Sequence, residues 1–368
     1  MLLTLALSLA AVVPQPQAGA SRTAQVRQAP SGALSPRPAR SLIDELQPGV
    51  SPRDLLPNAT HSASPFVEVR LLPQARSGGS AAISAAGTIA PRVYEVIVHP
   101  GVGYTETFLF QEVVGATPKP LLVAFHKFGN SAYDVLQNTT YFDEARRRGW
   151  YCVAPLSASG VHFSSIEGQI GTERALRWVI NNFAIDRTRV YGVGFSMGGG
   201  AALNYAARHL DPAGVMFAAV ANLSGTVSIK NTYVQDPGVQ YILDYWFGNN
   251  TPGSATAFAM ERSSVISFDA VSLLPETGND LARNLMHLNT RTVTATGDMP
   301  YLITQNNVLH SRFLALGASP TQHAHYVYNY PGHSWDAVPE RSVCDWLRTQ
   351  KLVLPNAGST LADSDERY

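Results

Sequence analysis

Apolar residues along the chain fall into short runs whose spacing assigns elements. Residues 66–72 alternate apolar and polar side chains and read as a strand, and the Gly, Ser and Ala stretch at 77–86 reads as a loop. Residues 93–98 and 105–110 are two further strands, with Pro100-Gly101-Val102-Gly103 between them making a hairpin. Residues 120–125 form a nearly unbroken apolar run, the mark of a strand covered on both faces, so parallel sheet begins there. Strand and helix then alternate. A helix at 143–148 leads to a buried strand at 150–154, and a helix at 170–183 carries Ala175, Leu176, Val179 and Ile180 on its apolar face. A strand entering at 189, a small-residue helix through 201–207 and a strand at 215–220 follow. Repeated βαβ units predict an α/β fold on a doubly wound, mostly parallel sheet, with its site at the C-terminal ends of the strands. Between 226 and 289 the periodicity weakens and Tyr241, Tyr245, Trp246 and Phe247 cluster. That stretch reads as an inserted cap, either an ordinary packed excursion or a substrate wall. The sheet resumes at 291–296, a helix spans 302–316, the last strand is 325–330 and a closing helix covers 339–347.

The two ends read differently. Residues 1–20 hold an apolar run at 2–13 and then Ala18-Gly19-Ala20, which predicts a secretory signal peptide and a secreted or periplasmic protein. The run is too short to span a bilayer, so no stable membrane insertion is expected. No Lys or Arg precedes it, which leaves a misassigned start or a plain leader as alternatives. Residues 21–63, rich in Pro, Ala, Ser, Gln and Arg, read as a disordered linker with a single helical turn conceivable at 41–46. The folded domain is expected over 64–354 and a disordered polar tail over 355–368.

Composition narrows the partners. Lys plus Arg and Asp plus Glu are 27 each, and charged residues are 15% of the chain, so there is no broad field to recruit nucleic acid or an anionic membrane. An uncharged or locally recognised small molecule or polymer fits better. Cys152 and Cys344 are too few for a disulfide framework, and read as two buried thiols or a single bridge.

The chemistry centres on Gly194-Phe195-Ser196-Met197-Gly198, a G-x-S-x-G motif between a strand and a small-residue helix. A serine hydroxyl is a weak nucleophile at its free pKa, so Ser196 needs a base, and the base needs an orienting acid. In an elbow-type hydrolase these follow in the order Ser, Asp or Glu, His, each on a loop leaving the sheet. Asp298 in Gly297-Asp298-Met299-Pro300 and His333 in Pro331-Gly332-His333-Ser334-Trp335 have that order and placement. Asp336 and Asp280 are rival acids. An oxyanion hole needs two backbone N–H donors. Met197 supplies one, and Lys127 or Phe128, in the loop after the 120–125 strand, the other. His126 reads as a structural loop residue. His323 and His325 share a strand face, but no further ligand lies nearby in sequence, so no metal and no cofactor is expected. Trp335 and the cap aromatics Trp246 and Tyr245 are candidate substrate contacts for an apolar or aromatic acyl group.

These residues resemble the α/β-hydrolase superfamily, and more narrowly the secreted esterases grouped with polyhydroxyalkanoate depolymerases and feruloyl esterases. The resemblance rests on residues 122–126, on 185–191 leading into the elbow, on Gly297-Asp298 and on 332–335, and spans 94–352. It departs from the family where Lys127, not glycine, follows His126, and where Asp298 directly follows the strand-end glycine. The resemblance implies a serine esterase acting through Ser196, His333 and Asp298. Two rival readings stand beside it. One is a prolyl-oligopeptidase-type peptidase, whose usual β-propeller the short leader cannot hold; the other is a non-catalytic hydrolase-like binding protein.

Overall fold

The computed structural model describes residues 41–46, 50–51, 55–57, 60–61, 65–73, 92–248, 255–269, 272–274 and 281–356. The expected signal peptide, most of the linker and tail, and Asp280 lie outside the described residues.

In chain order the strands and helices are β1 (Thr60–His61), β2 (Phe66–Leu71), β3 (Val93–His99), β4 (Val102–Gly103), β5 (Glu106–Gln111), β6 (Lys119–Phe125), α1 (Ala132–Asn138), α2 (Tyr141–Arg147) and β7 (Tyr151–Pro155). There follow α3 (Ile166–Asn182), β8 (Ile185–Phe195), α4 (Met197–Arg208), β9 (Ala219–Leu223), α5 (Ile229–Gln235), α6 (Gln240–Phe247) and α7 (Ala255–Arg262). The chain closes with β10 (Asn289–Ala295), α8 (Pro300–Ala315), β11 (His323–Tyr328) and α9 (Glu340–Leu347). Nine strands form one sheet in the order β11-β10-β9-β8-β6-β7-β5-β3-β2. The first six of that row run parallel and the last three join antiparallel.

The apolar runs are continuous because the central strands are covered on both faces. On β6, Leu121, Val123 and Phe125 pack toward α3, α4 and α8, while Leu122 and Ala124 pack toward α1, α2 and α9. Cys152 and Cys344 are both buried in the second layer and both are free thiols.

Three expectations need correction. First, the strand expected at 215–220 lies at Ala219–Leu223 instead. Its one polar residue, Asn222, is accommodated because the amide donates inside the protein to Asn306 Oδ1 at 2.7 Å and Thr292 Oγ1 at 3.3 Å. Second, α1 was not expected; Ser131 caps it by accepting from Tyr133 N–H. Third, part of the expected linker is ordered against the domain. Residues Leu42–Glu45 form a 3₁₀ turn closed by a capping box between Ser41 and Asp44, and Leu42 is fully buried. Between β9 and β10 the described chain is an excursion of α5, α6 and α7, which leaves the sheet from the same end as the elbow.

Candidate active site

β8 enters the elbow and α4 leaves it, with Ser196 at the corner at φ 58°, ψ −125°. This is a left-handed, costly conformation for a residue with a Cβ. It persists because the surrounding backbone over-determines it. Ser196 N–H donates to Leu223 O on β9 at 2.8 Å, and Ser196 O accepts from Gly199 N–H at 3.0 Å and Thr226 N–H at 3.1 Å. The flanking glycines are steric necessities. A Cβ on Gly194 would overlap the Gly198 backbone, and one on Gly198 would lie 2.5 Å from the carbonyl oxygens of Phe125 and His126. The β6 loop therefore runs directly over the start of α4.

Asp298 follows β10 and His333 follows β11, and the two meet. His333 Nδ1 lies 2.6 Å from Asp298 Oδ1. A carboxylate only accepts, so Nδ1 carries the proton and Nε2 is left as the acceptor that faces away from the acid. The same Oδ1 accepts from Met299 N–H at 2.7 Å, and Oδ2 accepts a short bond from Ser224 Oγ. Gly297 abuts the Pro331 backbone, where a Cβ would collide, so the turn before Asp298 is clamped to the turn before His333. Phe195 packs against the imidazole with ring centroids 4.4 Å apart and the planes tilted by 33°. Ser196 Oγ and His333 Nε2 are both buried, and neither has a hydrogen-bond partner among the described residues. The rival Asp336 is exposed and accepts instead from Ser334 Oγ at 3.2 Å and Tyr330 OH at 3.3 Å.

Of the two candidate donors in the β6–α1 loop, Lys127 N–H points at Asp134 Oδ2, at 3.4 Å. Phe128 N–H and Met197 N–H, the first of α4, have no acceptor among the described residues. Phe128 and Met197 pack in one apolar cluster with Met299, beside the acid. Lys127 Nζ is paired with Glu45 Oε2 at 3.1 Å, so the cation that departs from the family loop is neutralised from the leader segment. His126 is fully buried with its ring nitrogens 2.8 Å from Lys127 O and 3.1 Å from Leu156 O, a structural role.

The three candidate substrate contacts do not line up as expected. Trp335 is 5% exposed, packed between Phe195 and Tyr141 with its Nε1–H donated to Asp134 Oδ2 at 3.0 Å. It is a core residue that ties the histidine loop to α1. Trp246 donates Nε1–H to Val161 O at 2.7 Å, and Tyr245 is 43% exposed with its hydroxyl on Pro57 O at 3.0 Å. These two fasten the excursion to the loop after β7 and to the leader. His323 and His325 are likewise committed, to Thr290 Oγ1 at 2.7 Å and Thr294 Oγ1 at 2.9 Å.

Sequence reasoning missed Ser224, Asp134 and Glu106. Ser224, at φ 50°, had one available signal, its place directly after a strand next to the elbow strand. Asp134 gave none, because its role exists only once α1 is formed. Glu106 lies fully buried beneath the loop after β7 and accepts from the N–H groups of Leu156, Ser157 and Ala158 at 2.9, 3.0 and 2.7 Å. Burial pushes its carboxyl up to about 7 despite those three donors.

No protein-family model matches the sequence, and no curated protein is significantly similar to it. Solved structures do match. An S-formylglutathione hydrolase from Agrobacterium tumefaciens superposes with a TM-score of 0.53 at 14% identity, covering 72% of this chain and 97% of that one. An acetyl xylan esterase from Paenibacillus sp. R4 superposes with a TM-score of 0.50 at 14% identity, covering 77% and 88%. At such identity the likeness is one of architecture. Together with the parallel sheet, the strained serine at its strand-to-helix corner and the acid and histidine after the last two strands, it gives this chain the α/β-hydrolase fold.

Proposed function

We propose that this protein is a serine hydrolase that cleaves carboxylic esters through an acyl-enzyme. The observation that carries the reading is the 2.6 Å bond from His333 to Asp298 on the loops that face a serine held at φ 58°. The esterase and hydrolase names of the two similar structures support ester cleavage over peptide cleavage or binding without turnover. In this reading Ser196 Oγ attacks the ester carbonyl and its proton passes to His333 Nε2. Asp298 holds the ring in the tautomer that leaves Nε2 free and stabilises the imidazolium that forms. The carbonyl oxygen becomes an oxyanion beside Met197 N–H and Phe128 N–H, where the positive end of the α4 dipole adds to the two donors. His333 then protonates the leaving alcohol, and water, deprotonated by the same nitrogen, releases the acid. No hydrogen bond joins Ser196 and His333 in this structure, and such bonds commonly tighten only when substrate is bound. The apolar side chains beside Met197, among them Phe128, Ile229 and Leu302, support an apolar acyl group. We also propose export, with removal of residues 1–20.

The test is a panel of p-nitrophenyl esters of increasing acyl length set beside aminoacyl-anilides. Esters are expected to turn over and anilides not, and Ser196→Ala is expected to lose at least about 10⁴-fold in kcat. Faster anilide cleavage would move the protein to the peptidases.

A further inference from the structure

Part of the segment that precedes the sheet is docked beside the site. Leu42 is fully buried in the cluster that holds Phe128, Met197 and Met299, the neighbours of the oxyanion donors, the nucleophile and the acid. On one side Glu45 pairs with Lys127 of the oxyanion loop at 3.1 Å, and Leu46 sits directly on the Gly129 backbone. On the other side Asp236, at the end of α5, is buried and receives Ser41 Oγ at 2.5 Å, Leu42 N–H at 2.8 Å and Tyr301 OH at 3.0 Å. Further along, Ser159 Oγ donates to Leu55 O at 2.9 Å and Tyr245 OH to Pro57 O at 3.0 Å. The segment thus bridges the loop after β6 and the helical excursion, and Ser196, whose neighbour Met197 shares the Leu42 cluster, is 1% exposed.

We propose that Ser41–Leu46, with Leu55 to Pro57, is an intramolecular strap that shuts the site, latched by Leu42, by Glu45 on Lys127 and by the contacts to Asp236. Substrate reaches Ser196 only when the strap lifts. Among the described residues the segment is held by buried Leu42, by Ile43, Leu46, Leu55 and Leu56 against the same apolar cluster, by the Glu45–Lys127 ion pair and by hydrogen bonds, and it lies outside every strand of the nine-stranded sheet, so it detaches without unfolding the sheet beneath. The proposal rests on the ester-hydrolase reading above, which supplies the activity it regulates.

Two experiments on the full chain test it. A Cβ on Gly238 would lie 2.9 Å from Ile43 Cγ1, within disulfide reach, and 2.6 Å from Ser41 Oγ, which must turn aside, so Ile43→Cys with Gly238→Cys locks the strap to the excursion and is compared oxidised against reduced within the same variant. The native Cys152 and Cys344 are buried elsewhere. Oxidised, the double variant is expected to lose ester turnover and fluorophosphonate labelling, and dithiothreitol is expected to restore both. Second, Leu42→Ala combined with Glu45→Gln, which weakens the latch and leaves the catalytic groups intact, is expected to raise the labelling rate about tenfold, since the lost contacts stabilise only the closed state. Equal rates for the oxidised and reduced lock, or for the unlatched variant and the parent, would overturn the strap while leaving the hydrolase in place. A reduced protein that neither turns over esters nor takes the probe would sink the hydrolase reading, and the strap with it.

Discussion

Asp298 accepts three hydrogen bonds at the site: Oδ1 from His333 and Met299 N–H, and Oδ2 from Ser224. An asparagine there keeps the shape but offers an N–H₂ to one of these donors, and turning the amide toward His333 forces the wrong tautomer. Asp298→Asn is therefore expected to lower kcat by about 10³ to 10⁴ with little change in KM. Asp336→Asn, an exposed change away from the histidine, is expected to stay within about threefold. Steady-state kinetics on both variants checks this, and the reverse ranking would move the acid to Asp336. Asp134 acts at one remove. Its Oδ2 receives both Trp335 Nε1–H and, more weakly, Lys127 N–H, joining the histidine loop to the oxyanion loop. Asp134→Asn is expected to cut kcat about 10- to 100-fold while KM holds, with a shifted Trp335 fluorescence reporting the altered indole hydrogen bond. Unchanged kcat would mean that the two loops hold their positions independently.

At the scale of elements, the elbow is the most constrained piece of chain. Gly198→Ala places a methyl 2.5 Å from the carbonyl oxygens of Phe125, the last residue of β6, and His126, which follows it. The variant is expected to lose about 3 kcal/mol or more of stability in urea unfolding, together with its activity. This turn was legible in the sequence because its steric demands fix residue types at fixed spacing. The Asp298 and His333 loops were legible for a related reason, since each follows a stretch rich in β-branched or aromatic residues, 291–296 and 325–330, that reads as a strand. What the sequence concealed depends on tertiary partners. β9 looked finished at Val220 because Asn222 and Ser224 are polar, yet inside the protein the Asn222 amide nitrogen donates to Asn306 and Ser224 Oγ donates to Asp298. Trp335 looked like a substrate contact because a large aromatic beside a catalytic histidine suggests one. Its indole is instead absorbed by α1, a helix too short to show a period. The strap was invisible as a covering element for the same reason, being one turn in a Pro-rich stretch.

Across the whole molecule, the sheet and its two covering layers hold several histidines neutral. Burial lowers His162 well below its usual 6.5, His209 and His325 to about 4, and His323 to about 3. In the unfolded chain these rings protonate near 6.5, so between there and about pH 4 the unfolded state takes up protons that the folded state refuses. Stability is expected to fall as pH drops through that window. Glu106 acts in the opposite sense between about 4.5 and 7, where the folded state keeps a proton that the unfolded state has released. Burial also raises Glu340, and these two carboxyls set against six buried or half-buried imidazoles, His287 and His310 included, leave the acid loss dominant. Urea midpoints from pH 8 to pH 4 check the sign, and a flat or rising profile toward acid would contradict it. All of this serves to hold one serine in a strained turn before one histidine, and that claim is open to a direct measurement. The full chain is treated with a fluorophosphonate and its peptides are mapped by mass spectrometry. The account predicts a single covalent adduct, on Ser196, that is lost in His333→Ala. An adduct on another residue, or none on a protein shown to be folded, would contradict it.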